Sequence, residues 1–232
     1  MNKQGINGIE WCDYTWNPVT GCLNGCEYCY ARKMFHRFGK SFEPTMHPEK
    51  LEEPAKLKKP SRIFVGSTTD LFGDWVPDEW VRQVFNACNG APWHEYLFLT
   101  KNPKRYYRYE AYINKNFWLG ATIGQSENLT CCDADTMSVV SGNKFVSIEP
   151  IMFDVTDWVH LGEYDWVIVG AETGNRAEKV VPPRQWIEAI ARACIQYDVP
   201  LFMKRSLAGV WGDPLIQELP TALRIAEVSR HD

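Results

Sequence analysis

The densest chemistry in this chain is a set of three thiols. Cys22, Cys26 and Cys29 are spaced C-x3-C-x2-C within Gly21-Cys22-Leu23-Asn24-Gly25-Cys26-Glu27-Tyr28-Cys29-Tyr30. Three thiolates at these intervals, on a loop that runs into a helix, can hold three corners of a cubane iron–sulfur cluster. The intervals demand a tight wrap, which Gly25 relieves by admitting positive φ. The helix start beyond Cys29 brings backbone N–H groups toward the sulfurs and offsets part of the negative charge. A fourth iron would then lack a protein ligand, and an open metal position marks a catalytic site rather than a structural one. The same thiols are compatible with a zinc knuckle completed by Cys12 or His36, or with buried, unligated cysteines. Neither Cys12 nor His36 stands at a familiar interval from a C-x2-C pair, and no second C-x2-C exists. The cluster is therefore the preferred reading.

The elements that must position this loop follow from hydrophobic period. Residues 1–16 place Ile9, Trp11, Tyr14 and Trp16 like an edge strand or lid. From Glu27 to Phe38 the period is helical, with Ala31, Met34, Phe35 and Phe38 as the apolar face. Residues 40–60, rich in proline and lysine, read as a surface connection. Short apolar strands then alternate with helices. Strands are expected at 63–65, 96–99, 117–123, 144–148, 166–169 and 201–203. Helices are expected from Pro77, over 103–114, around 132–140 and from Pro183 to Tyr197. Strands that are continuous apolar runs are buried on both faces, as in a parallel sheet covered by helices. Alternation of strand and helix makes an α/β fold. About six units suggest an incomplete (β/α) barrel, with a doubly wound open sheet as the other option.

Each expected strand ends in polar residues: Thr68 and Asp70, Thr100 and Lys101, Thr122, Glu149, Glu172, and Lys204. The C-terminal strand ends form the functional face of parallel α/β folds. Exposure of strand ends accounts for part of this pattern. It accounts less well for Glu149, framed as Ser147-Ile148-Glu149-Pro150.

Composition bounds the class. The 232 residues are 45% hydrophobic, enough for a packed single domain over 1–232. No apolar run approaches a membrane span, and the N-terminus lacks the apolar core of a signal peptide, so a cytoplasmic protein with reduced thiols is expected. Eight cysteines are then not a disulfide framework. Cys88 and Cys194 fall on apolar helix faces and read as core. Adjacent Cys131 and Cys132 are poorly placed to chelate one metal together and stand as accessory ligands. A net charge of -4 argues against a protein wrapped around a long phosphate backbone, though not against a local basic patch.

The C-x3-C-x-Tyr-C stretch resembles the signature of the radical S-adenosylmethionine (SAM) superfamily, and its context is similar to the spore photoproduct lyase branch. Nearly the whole chain resembles a phage-associated family of unknown function (DUF5131). The marks are Trp16-Asn17-Pro18-Val19-Thr20-Gly21-Cys22, Asp70-Leu71-Phe72-Gly73, Leu99-Thr100-Lys101-Asn102-Pro103, Ser147-Ile148-Glu149-Pro150, Val169-Gly170-Ala171-Glu172-Thr173-Gly174 and Phe202-Met203-Lys204.

The superfamily resemblance implies a [4Fe-4S] cluster on Cys22, Cys26 and Cys29. SAM would chelate the open iron and be cleaved by one electron from a flavodoxin- or ferredoxin-type reductant, giving a 5′-deoxyadenosyl radical that takes hydrogen from a substrate. It also implies cofactor contacts. Asp70 and Thr68 stand where the superfamily bonds the SAM amine, although the chain reads Ser67-Thr68-Thr69-Asp70 there instead of glycine-glycine-glutamate. Thr122, Ser147, Glu149 and Lys101 suit the ribose and carboxylate, and the Tyr28 backbone suits adenine. Glu172 and Lys204, with Arg205, are expected to face substrate, with a plain Lys204–Glu172 ion pair as the other possibility.

The run Lys101-Asn102-Pro103-Lys104-Arg105-Tyr106-Tyr107-Arg108-Tyr109 interleaves basic and aromatic residues, a mixture that suits phosphate contact with base stacking. A solvated helix surface is the plainer reading. With Arg32, Lys33 and Arg37 after the cysteines, a nucleic-acid or nucleotide substrate leads. A peptide or small metabolite, or a non-enzymatic metal-stapled binding protein, are the alternatives.

Overall fold

The computed structural model describes residues 1–5, 8–124, 137, 140–174 and 176–228. The chain forms two compact units, Met1–Leu119 and Gly120–Asp232. Among the described residues no helix is long and apolar enough to cross a membrane.

In the first unit the strands are β1 (Asn2–Lys3), β2 (Tyr14–Trp16), β3 (Val19–Thr20), β4 (Thr45–Met46), β5 (Arg62–Val65) and β6 (Glu95–Thr100). Strands β2, β5 and β6 run parallel, with Trp16 opposite Val65 and Val65 opposite Phe98. The N-terminal stretch expected as an edge strand or lid thus supplies β2, flanked by β1 and β5. The connection over 40–60 pairs back through β4 onto β3 and carries a short helix, α2, at Glu53–Lys56. All four residues of β5 are buried, including Arg62. Its charge is met by Asp13, whose carboxylate accepts from Arg62 N, Nε and Nη2 at 2.8, 3.1 and 3.0 Å.

Helix α3 (Asp78–Asn89) follows Pro77 as its sequence requires, with Asp78 and Glu79 in the first turn and Val81, Val84, Phe85 and Cys88 buried. Its face closes an aromatic core. Phe72 meets Tyr106 at 4.5 Å, Phe85 meets Phe98 at 5.1 Å, and Phe85 stacks on Phe117 at 5.6 Å.

Two expectations are corrected here. The segment 103–114 is a 3-10 helix over Pro103–Tyr112, and much of its basic and aromatic character is core rather than ligand surface. Arg105, Tyr106 and Tyr109 are buried. Arg105 donates to the carbonyls of Gly73 and Val76 and pairs with Asp78, which also accepts from the Tyr109 hydroxyl at 2.6 Å. Tyr109 and Arg105 together hold the Asp78 carboxyl down at about 2. An arginine ringed by acceptors is the low-cost way to bury a cation. The second correction concerns α1 (Tyr30–Arg37), which buries Ala31 alone. Phe35 packs edge-on against Phe42 at 5.0 Å, while Met34 and Phe38 stay exposed. This short helix serves its cysteine end more than the core.

Strand β7 (Phe117–Ile123) crosses the boundary between the units. In the second unit β8 (Asn143–Ile148), β9 (Trp166–Val169) and β10 (Leu201–Met203) run parallel in that order. Helix α4 (Arg184–Gln196) covers them with Ile187, Ile190, Ala191 and Cys194. Trp166 sits between Phe145 and Phe202, at 5.9 and 6.1 Å, and its indole N–H reaches the Glu218 carbonyl. Cys88 and Cys194 are core, as expected, and burial pushes the Cys194 thiol up to about 12. The helix expected around 132–140 falls almost wholly outside the described residues, as do Cys131 and Cys132.

Candidate metal and cofactor site

In the first unit the polar groups gather at the C-terminal ends of β2, β5 and β6. Gly21 opens the cysteine loop at φ +86°, where a Cβ would collide with the Glu43 carbonyl, so only glycine fits. The loop is stitched to the turn after β5. Gly21 N donates to Thr68 O at 3.0 Å, and the Thr69 hydroxyl donates to Gly21 O at 2.6 Å. Asn17 holds that turn from the other side, accepting from Ser67 Oγ and Thr68 N. Tyr30 reaches back to the Ser67 carbonyl at 2.7 Å.

Cys22, Cys26 and Cys29 are free thiols, each partly buried. Gly25 takes φ +71°, as the spacing requires. Cys29 caps α1, its sulfur accepting from Arg32 N at 3.4 Å. The Arg32 guanidinium donates to Cys22 O at 3.1 Å, so this arginine serves the loop. Burial raises the Cys22 thiol, and the nearby Asp70 charge adds to the rise. Burial likewise raises Tyr28, opposed by Lys101.

Asp70 is the knot of this site. It is 5% exposed, and its oxygens accept four hydrogen bonds. Oδ1 takes Thr100 Oγ1 at 2.6 Å and Phe72 N at 3.2 Å; Oδ2 takes Asn24 Nδ2 at 2.9 Å and Lys101 N at 3.0 Å. A carboxylate offers about four lone-pair sites, and here all are used inside the protein. The geometry therefore makes Asp70 a strut between the cysteine loop and the end of β6. The Thr68 hydroxyl beside it is different: it is buried with no hydrogen-bond partner. Such a group wants an acceptor or donor from a ligand. Lys101 Nζ reaches the Tyr28 hydroxyl at 3.0 Å.

These residues fit an iron–sulfur cluster. Among the described residues no three His, Cys, Asp or Glu side chains converge as donors to one ion do. A cubane asks for something else, since it takes each thiolate on a different iron. The loop supplies three free thiols, a helix N-terminus behind one sulfur and an unsatisfied hydroxyl nearby, which is the donor set a cluster with a bound organic ligand needs.

The second unit gathers its polar groups at the ends of β8, β9 and β10. Ser147, fully buried, donates to Glu149 Oε2 at 3.0 Å, and Lys204 pairs with Glu149 Oε1 at 2.6 Å. Gly170 leaves room for this carboxylate, because a Cβ there would stand 2.6 Å from Glu149 Oε1. The Lys204–Glu172 pair expected from sequence is thus replaced by Lys204–Glu149. Glu172, 3% exposed, is held by Arg176 in a two-pronged pair at 2.7 and 2.8 Å. Thr122 is half-buried on β7, and Arg205 is exposed in a 3-10 turn after β10.

Sequence reasoning missed Asn17, Asn24, Arg176 and Ser206, whose hydroxyl accepts from Ala171 N at 3.0 Å. Asn17 and Asn24 sat inside the quoted motif and could have been read as loop anchors. Arg176 carried no signal, since a four-residue spacing means little outside a helix.

Three solved structures are similar to this chain. Spore photoproduct lyase complexed with dinucleoside spore photoproduct matches with TM-score 0.60 and 12% identity, over 84% of this chain and 76% of that one. A single-site mutant of the same enzyme matches with TM-score 0.60 and 11% identity over the same shares. A double mutant with bound AdoMet and dinucleoside spore photoproduct matches with TM-score 0.54 and 10% identity, over 80% of this chain and 74% of that one. The likeness shows a common fold, an α/β arrangement of parallel strands of the incomplete-barrel type. No curated protein sequence matches. The model of the family described as "Protein of unknown function (DUF5131)" matches residues 6–220, and the chain belongs to that family.

Proposed function

We propose that this chain is a radical SAM enzyme working as one domain, with a [4Fe-4S] cluster on Cys22, Cys26 and Cys29 and a nucleic acid or nucleotide as substrate. The observation that carries the reading is the cysteine loop itself: three free thiols, tied through Asn24 and Asp70 to the C-terminal end of β6. When bound, cluster and SAM supply one-electron cleavage of a carbon–sulfur bond and, through it, hydrogen abstraction from substrate. The chain's own residues bind and orient. Thr68 offers its unsatisfied hydroxyl to the SAM amine, while Asp70 holds the loop. Tyr28 contributes its backbone toward adenine, and Thr122, Ser147, Glu149 and Lys101 are the proposed contacts to ribose and carboxylate. Glu172 and Lys204 face substrate, with Arg176 and Glu149 setting their charge. A flavodoxin- or ferredoxin-type protein delivers the electron.

A nucleic-acid or nucleotide substrate draws support from the neighbours that hold a dinucleoside photoproduct. On this chain it is supported by exposed Lys33, Arg37, Lys104 and Arg108. Arg105 is excluded from that set by its burial.

The test is anaerobic reconstitution followed by absorbance, spin resonance and product analysis. The expected result is a brown, four-iron protein whose signal changes with SAM and which releases 5′-deoxyadenosine under reduction. Cys26→Ala should lose the iron and keep the circular dichroism of the fold. Stoichiometric zinc without iron overturns the reading. For the substrate class, the combined change of Lys33, Arg37 and Lys104 to Ala should weaken oligonucleotide binding and flatten its salt dependence. Unchanged binding sends the search to peptides and small metabolites.

A further inference from the structure

We propose that Lys101 and Tyr28 form a relay that presents a hydroxyl proton, backed by positive charge, to the sulfur of Cys26, and so makes a cluster on this loop easier to reduce. The inference rests on the reading that the loop carries a cluster, and it adds two residues that tune it.

The direction of the relay follows from donor chemistry. Lys101 Nζ lies 3.0 Å from the Tyr28 hydroxyl. An ammonium only donates, so the hydroxyl oxygen accepts and its own proton is free for another partner. The other hydrogen-bond partner of Tyr28 is the Cys26 side chain. The order is therefore ammonium to phenol to sulfur. Each bond polarises the next, and a charged donor at the head strengthens the last.

Both ends of the relay hang from one support. Lys101 N donates to Asp70 Oδ2 at 3.0 Å, and Asn24, two residues before Cys26, donates to the same oxygen at 2.9 Å. The lysine and the cysteine loop thus share an anchor although 73 residues separate Lys101 from Tyr28. Hydrogen bonds to sulfur and nearby positive charge favour the cluster state with one more electron, which raises the reduction potential.

The experiment compares wild type, Tyr28→Phe, Lys101→Met, Lys101→Arg and the Tyr28→Phe/Lys101→Met pair. Each is reconstituted anaerobically, checked for iron and sulfide per chain, and titrated against potential by spin resonance without SAM. The expected result is a more negative potential for Tyr28→Phe and for Lys101→Met. Lys101→Arg recovers most of the loss, and most of the Lys101→Met shift disappears in the Tyr28→Phe background. Equal potentials for wild type and Tyr28→Phe overturn the relay, as does a Lys101→Met shift that persists in full without the hydroxyl. If Tyr28→Phe takes up no iron, the lysine pair decides, and a Lys101→Met protein at the wild-type potential overturns it. A Lys101→Met protein at the wild-type potential that no longer responds to SAM assigns Lys101 to the cofactor instead. A wild type that takes up no iron breaks the cluster reading itself, and the relay falls with it.

Discussion

The two units treat their polar strand ends differently. In Met1–Leu119 one buried carboxylate, Asp70, collects a loop amide, a strand hydroxyl and two backbone N–H groups. In Gly120–Asp232 two carboxylates are each held by a cation, Glu149 by Lys204 and Glu172 by Arg176. A single acceptor shared by four donors fixes geometry, because no arm moves without stranding another. A pair can exchange its partner for a ligand at smaller cost, since each charge loses one contact and regains another. The first arrangement suits a cradle for a rigid group; the second suits residues that meet a substrate.

Four substitutions break or sharpen this contrast. The largest effect is expected from Asp70→Ala, which strips the acceptor from four donors at once. With roughly 1–3 kcal/mol for each buried donor left bare and some rescue by water, the loss is about 4 kcal/mol in urea unfolding. Iron loading should fall with it. A variant with wild-type stability and iron content would show that the loop stands without its strut.

Next comes Arg176→Met, which leaves Glu172 charged and buried at a cost of about 3 kcal/mol. Adding Glu172→Gln should restore most of that loss, and a failure to do so would mean the pair is not the source. Lys204→Met is milder, because the two side chains are 25% and 19% exposed and Ser147 still donates to Glu149. A loss of about 1–2 kcal/mol in thermal unfolding is expected, between the surface and buried limits. A loss as large as that of Arg176→Met would erase the distinction between the pairs.

The smallest effect lies in the first unit but outside the Asp70 knot. Burial raises the Glu95 carboxyl from 4.5 to about 7, against the pull of the Trp118 indole N–H. An acid with a raised pKa in the fold binds its proton better there than in the unfolded chain. Its contribution is fully present below about pH 4.5 and is lost as pH rises through about 7. Glu95→Gln should flatten that part of the stability profile. An unchanged slope would remove Glu95 as its cause.

The fold was legible where hydrophobic period is local. Strands 117–123, 166–169 and 201–203 match β7, β9 and β10 to the residue, and Pro77 marked the start of α3. Period alone could not say which side of a helix the core lies on. Met34 and Phe38 share the spacing of a buried face yet stay exposed, since only Ala31 and Phe35 have anything to pack against. Composition misled in the opposite sense at Arg105, Tyr106 and Tyr109, which read as ligand surface and are core. The acceptors that admit Arg105 come from residues 73–78, on another element.

The sequence by itself determined the thiol triad, the glycines that let it wrap, the alternation of strand and helix, and the polar residue at each strand end. These depend on spacing along a few turns of chain. Only the tertiary structure decided that Asp70 is a strut while Thr68 holds an unsatisfied hydroxyl. It likewise decided that Lys204 faces Glu149 and leaves Glu172 to Arg176, and that Lys101 backs Tyr28. Most of those partnerships join strand ends tens of residues apart in sequence. Parallel register and the turn after each strand choose which ends meet, and neither is written in any local stretch.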